Sequence, residues 1–208
     1  MKLTLLDPSA TMLTILFGVT ILYSAGLNYL LLMLVFFVLG ILVTKYEHKE
    51  KKRLGIYEHE RSWENVLANG TVPVISAIYS SSLGPSAYIC SIAAITADKF
   101  ASELGVLSEE PYSLRTLKKV KKGTSGAISP FGTLMSFDGA LLVALSSYLL
   151  FPGINFWKVL IISLIGFMGS FIDTLLGVFE EDGIGTKSTT NFICSLTGAL
   201  IGYLVLGY

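Results

Sequence analysis

The chain has 208 residues, of which 52% are hydrophobic and only 14% charged, where an ordinary soluble domain carries about 25% charged residues. With a mean hydropathy of +0.67, that balance excludes a water-soluble globule. A formal net charge of zero, from 15 basic and 15 acidic residues, gives no reason to expect nucleic acid.

Taken in order, Asp7-Pro8-Ser9 reads as a helix start, and an apolar run from about Ala10 to Tyr23 ends at Ser24-Ala25-Gly26. This run reads as a retained helix rather than a signal peptide, because no cleavage pattern follows it and a second run comes at once. That second run, Tyr29 to Val43, is apolar all round, as a lipid-facing helix should be. Lys45 to Arg61, KYEHKEKKRLGIYEHER, is polar enough to lie in water and carries the histidines His48 and His59. With no cysteine near them, they read as solvated loop residues rather than metal ligands.

A third stretch enters through Trp63 and runs to about Ser82, Leu83-Gly84-Pro85 breaks the chain, and a fourth helix begins at Ser86. It ends in ITADKFASELG, residues 95–105, which puts Asp98, Lys99 and Glu103 in a run otherwise fit for lipid. A charged group at bilayer depth costs about 2.5–3.5 kcal/mol on insertion scales, so each is a candidate functional residue. A second basic loop, Ser108 to Lys122, holds Arg115, Lys118, Lys119, Lys121 and Lys122, and Gly123-Thr124-Ser125-Gly126 follows it. The fifth span covers about Ser129 to Phe151, the sixth Phe156 to Phe179 with Asp173 inside it, and the seventh Thr189 to Tyr208. Cys90 and Cys194 both lie in apolar runs, and neither number nor spacing suggests zinc or a disulfide framework.

The expected architecture is all-α: a polytopic helical membrane protein of about seven transmembrane helices in a single membrane domain, 1–208. Two N-terminal helices (1–45) precede a motif-bearing bundle (60–208). Short loops rich in Lys and Arg stay cytoplasmic. The two basic loops are separated by two helices, so both can face that side, with the N-terminus inside and the C-terminus outside.

Under this topology Asn65, Asn69, Asp98, Glu103, Gly123 to Ser129, Asp173 and Asn191 all map to the cytoplasmic face. Asp138 is the exception and should lie deeper. Ser91, Ala94, Asp98, Ala101, Ser102 and Gly105 recur at three- and four-residue steps, as do Gly166, Gly169, Ser170, Asp173 and Gly177, and Asn191, Ser195, Gly198 and Gly202. Small residues so spaced let helices approach closely in a bilayer, which turns each acid away from lipid.

This arrangement suits phosphate chemistry with a divalent ion. Carboxylates are hard ligands for Mg²⁺, which is commonly held by one or two protein acids plus substrate phosphates. Asp98 and Asp173 are the expected ligands and Glu103 the third. Gly123, Thr124, Ser125 and Gly126, after Lys121 and Lys122 and just before a helix, can present N–H groups to phosphate oxygens. The loop is not a Walker motif. Lys118 and Lys119 serve equally well as topology signals or contacts to anionic headgroups. Asn65, Asn69 and Asn191 either bond a phosphate, ribose or base, or cap helices.

RSWENVLANG (61–70), ITADKFASELG (95–105), KKGTSGAISPFGT (121–133), GSFIDTLLG (169–177) and the start of the last helix at Asn191 together resemble the phytyl-phosphate kinase and transmembrane protein 19 family. More loosely, they resemble dolichol and phytol kinases and CDP-lipid synthases. The resemblance covers about residues 60 to 208. It implies a membrane enzyme that converts an isoprenyl monophosphate to the diphosphate with CTP, or another nucleoside triphosphate, and Mg²⁺. Carried over by motif, the expected site comprises Asp98, Glu103, Lys122, Gly123, Thr124, Gly126, Ser129, Asp173 and Asn191. Partners implied are the nucleotide, the isoprenoid phosphate and the bilayer, with a second copy of the chain left open. A cytidylyltransferase built from the same parts and an ion or metabolite transporter are the alternatives. Lys99 is expected to reach to the interface rather than pair with Asp98.

Overall fold

The computed structural model describes residues 6–55, 61–108 and 111–207; His59 lies outside them, as do Glu109 and Glu110 of the second basic loop. Helix α1 spans Pro8–Ala25, and Asp7 caps it by accepting from the Ala10 N–H at 2.7 Å. That bond and one from the Ser9 hydroxyl hold the Asp7 carboxyl below the usual carboxylate range. Gly26, at φ +92°, makes the turn into α2, Leu27–Lys45. A short α3, His48–Arg53, lies in the first basic loop. Then come α4, Trp63–Ile78, and α5, Ser80–Gly105, which is broken at Gly84 where the Leu83-Gly84-Pro85 signal falls. Helices α6, Pro130–Leu150, α7, Phe156–Glu180, and α8, Lys187–Leu206, complete the bundle.

The all-α membrane architecture is therefore present. Among the described residues seven helices have 16 or more residues. Five of them, α1, α2, α6, α7 and α8, are long and apolar enough to cross a membrane. The other two are α4, at 16 residues, and α5, which the bundle encloses. The small-residue stripes explain how α5 is enclosed. Every residue from Ser86 to Asp98 is buried, so neighbours pack on it from all sides. A Cβ added at Gly166 would meet Ala93 at 2.9 Å, one at Gly169 would meet Ala94 at 2.6 Å, and one at Gly198 would meet the Cys90 carbonyl at 2.4 Å. These glycines set the α5–α7 and α5–α8 spacing, as small-residue seams do in bilayers.

A feature outside the all-α expectation joins α5 to α6. Strands β1, Tyr112–Ser113, and β2, Ala127–Ile128, pair antiparallel and fold the second basic loop back over the end of the bundle. Among the described residues Lys158 is the one cation at the opposite end; the remaining Lys and Arg gather where α2, α5 and α7 finish. Asp7 also sits at this basic end, its N–H bonded to the Arg61 carbonyl at 3.2 Å.

Candidate functional site

A cavity of about 590 Å³ opens at the basic end among α5, α6, α7, the start of α8 and the β1–β2 loop. Helix α5 supplies Asp98, and α7 supplies Asp173, on the packed stripes where periodicity put them. Both are buried, at 7% and 6% exposure, and their carboxyl groups lie within hydrogen-bonding reach of each other. Asn191, with its amide nitrogen facing the two acceptors, donates to Asp173 Oδ1 at 3.3 Å and to the Lys187 carbonyl at 3.2 Å. Lys187 itself lines the cavity, and its charge acts on Asp173.

Glu103 is placed differently from expectation. Its Oε2 accepts from Lys51 Nζ at 2.9 Å, and its Oε1 accepts from Thr44 Oγ1 at 2.9 Å, with Arg61 Nη2 3.7 Å away. Lys99, one turn earlier on α5, pairs with the same carboxylate. Lys51 is only 1% exposed and also donates to the Val43 carbonyl at 2.6 Å, closing the C-terminal end of α2. With both oxygens engaged by cations, Glu103 is a tie between α2, α3 and α5, and it leaves the set of metal ligands. Lys99 is likewise a member of that tie rather than a side chain reaching freely to the interface.

The glycine loop lines the cavity along Gly123, Thr124, Ser125 and Gly126, but its N–H groups are not an open cradle. The Thr124 N–H donates to the Lys121 carbonyl at 3.3 Å, and the Ser125 N–H donates to Glu181 Oε1 at 3.1 Å. The Ser125 hydroxyl adds a bond to Glu180 Oε2 at 2.6 Å. Gly126, at φ +68°, lies so close to α7 that a Cβ would sit 2.6 Å from the Val178 nitrogen. The loop is a wall fastened to the end of α7.

Ser129 caps α6, its Oγ accepting from the Gly132 N–H at 3.0 Å, which leaves its hydroxyl proton for the cavity. Lys121 and Lys122 do not line the cavity; among the described residues the cations that do are Lys51, Lys99 and Lys187. Asn65 and Asn69 are outside it too, bonded to Ser62 Oγ at 3.5 Å and to the Asn65 carbonyl at 2.9 Å, so they serve their own helix. Asp138 is half-buried two turns into α6 and does not line the cavity.

Lys187, Thr133, Ser136 and Thr174 line the cavity without having been singled out in the sequence, and Ser170, known there only as part of a packing stripe, lines it too. Helical spacing alone would have found most of them. Thr133 and Ser136 are four and seven residues past Ser129, and Lys187 is four before Asn191. Lys51 carried no such signal, since nothing marks one lysine of a basic run as buried.

Among the described residues no group of three or more His, Cys, Asp or Glu converges as a preformed metal centre. The donor set present, two buried carboxylates in contact, fits a hard divalent ion that completes its shell with water and substrate oxygens.

Fold and site together define an integral membrane protein with a polar, carboxylate-bearing cavity at one end of a helical bundle. Residues 1–199 match the model of the family described as integral membrane protein DUF92, and the chain belongs to that family. It is 44% identical over 193 residues to an uncharacterized membrane protein of Methanocaldococcus jannaschii, covering 90% of this chain and 80% of that one. It is 30% identical over 191 residues to Protein PGR of Arabidopsis thaliana, covering 76% of this chain and 66% of the relative. A Synechocystis membrane protein is 29% identical over 198 residues, covering 88% and 76%. No solved structure matches the chain at a significant level.

Proposed function

We propose that this protein is a membrane-embedded phosphotransferase that converts an isoprenyl monophosphate to the diphosphate with a nucleoside triphosphate, CTP first, at the cytoplasmic face. The observation that carries the reading is the buried Asp98–Asp173 pair inside a cavity at the basic end of a lipid-facing bundle. Short loops rich in Lys and Arg favour the cytoplasmic side for that end. The family resemblance of the motifs supplies the reaction class, and the gathering of polar groups at one end favours chemistry there over a path through the bilayer.

In this reading Asp98 and Asp173 would hold Mg²⁺. The ion, when bound, supplies charge neutralisation for the triphosphate. Asn191 holds Asp173 in place through its amide. Lys187 directs an ammonium toward the phosphates, and Ser129 offers a hydroxyl donor. The glycine loop, fastened by Glu180 and Glu181, walls the site from water on the basic side. An acceptor phosphate oxygen attacks the γ-phosphorus and the nucleoside diphosphate leaves. The acceptor is already anionic, so no general base is required and positioning does most of the work.

The test uses purified protein with Mg²⁺, a panel of isoprenyl phosphates and CTP labelled at either the α or the γ phosphorus. Label from the γ position in lipid diphosphate is the expected result. Label from the α position would assign a cytidylyltransferase, and label from neither would refute both.

A further inference from the structure

The cavity has a side that the reaction itself does not explain. Between α6 and α7 it is lined by Thr133, Ser136, Phe167, Ser170, Phe171 and Thr174. Two of these also reach the outside of the bundle: Thr133 is exposed, and Phe171 is 43% exposed. Met168 and Leu175, one turn to either side of Phe171 on the same face, are 49% and 38% exposed, and Leu134 beside Thr133 is 55% exposed. That outer face is apolar and belongs to two helices long enough to cross a membrane, so it looks into lipid. The residues shared by cavity and outer face mark a lateral opening.

A second observation is independent of the first. Ser136 is 3% exposed, lines the cavity, and its hydroxyl has no hydrogen-bond partner. A buried hydroxyl left unpaired is costly, and in a cavity wall it is a donor waiting for a ligand oxygen. Ser136 and Phe167 both lie below the glycine loop. Phe167 is ten residues, about 15 Å of helix, from the Gly177 contact. Below the glycine loop the cavity thus combines an unpaired donor with the Phe167 ring, and its lining runs out to the apolar outer face at Phe171.

We propose that the α6–α7 gap is the binding site for the hydrocarbon chain of a membrane-dissolved lipid phosphate, with Ser136 donating to the oxygen that joins chain to phosphate. This rests on the phosphotransferase reading for the fate of the phosphate, though not for the binding itself. Volume then sets specificity. About 590 Å³ is the size of one small-molecule site, roughly 300–1,000 Å³. A nucleotide and a long isoprenyl chain together outgrow it. The chain therefore leaves through the gap within its first units and lies along Met168, Phe171 and Leu134 in lipid. Chain length is read weakly as a result.

The test separates binding from turnover. Protein in lipid nanodiscs, without nucleotide, is irradiated with geranylgeranyl monophosphate carrying a diazirine at the far end of its chain. Adducts on the outer faces of α6 and α7, competed by unlabelled prenyl phosphate, are the expected result. Adducts spread evenly over α1 and α2, or not competed, overturn the proposal. Cys90 and Cys194 are both fully buried, so Thr133→Cys can be labelled selectively with a bulky maleimide, which should abolish the competed adducts. Persistence of those adducts also overturns it. On the activity side, Ser136→Ala should raise KM for the lipid phosphate on the order of ten-fold with kcat held, and an unchanged KM removes Ser136 from the site. Absence of γ-phosphate transfer from every substrate, with the competed adducts intact, counts against the phosphotransferase reading alone.

Discussion

Replacing Glu103 by Gln separates the two kinds of acid in α5. Glu103 is 13% exposed in its side chain and accepts from Lys51 Nζ at 2.9 Å, with Thr44 Oγ1 at 2.9 Å and Arg61 and Lys99 close by. At an effective dielectric of about 20, one such pair at 2.9 Å contributes ~6 kcal/mol of Coulomb energy. Desolvation of both ions offsets part of that. What the variant exposes is the opposite imbalance: the Lys51 ammonium, 1% exposed, keeps its burial and loses its counter-charge. Removing one partner of a buried pair costs about 3–5 kcal/mol. For a chain of this length that corresponds to a fall of roughly 6–20 °C in the thermal midpoint, read by intrinsic fluorescence in detergent. Adding Lys51→Met should recover part of the loss, with a coupling of about 0.5–3 kcal/mol. An E103Q protein as stable as the parent but inactive would refute the reasoning and return Glu103 to the ligand set.

The companion variants Asp98→Asn and Asp173→Asn should behave in the opposite way. Each relieves two carboxylates in contact, so stability holds or rises, while phosphate transfer falls by at least ~100-fold, as expected when a charge-stabilising group is lost; turnover near the parent rate would remove that acid from the site. Mg²⁺ titration should raise the midpoint of the parent and leave that of D98N unmoved, since only the native state offers the paired carboxylates. Lys187→Met should lower kcat/KM with labelled CTP while Lys121→Met and Lys122→Met stay near the parent, the reverse ranking refuting the placement of these cations around the cavity. Gly126→Ala forces a side chain against the Val178 backbone at 2.6 Å and into a left-handed conformation that costs about 1–2 kcal/mol by itself. The loop should lift from α7, seen as faster proteolysis after Lys121 or Lys122; an unchanged digestion pattern would show that it does not.

The helices were legible because their signals are local. Asp7 announces a helix start, Leu83-Gly84-Pro85 announces a break, and Gly166 with Gly169 on α7, like Gly198 with Gly202 on α8, recur at the period that places each pair on one face of its helix. The β1–β2 pairing was not legible. Each strand is two residues long, too short for any alternation, and its partner lies across the whole basic loop.

Asp98 and Glu103 show where reading along the chain stops. They stand five residues apart on one helix, both acids in an apolar run, and residue spacing gives them the same expected role as metal ligands. The fold sends one to meet Asp173 inside the bundle and the other to Lys51, a residue from a distant, polar loop. Periodicity assigns a side chain to a face of its own helix, so the sequence alone determined a membrane bundle, its small-residue seams and the inward turn of Asp98 and Asp173. What stands opposite that face depends on how separate helices come together. Only the tertiary structure therefore decided that Glu103 is held by cations, that Lys187 rather than Lys122 borders the cavity, and that the lining reaches the outer face at Thr133 and Phe171. Charge and burial act through space at a few ångströms, and that distance is not written in residue spacing.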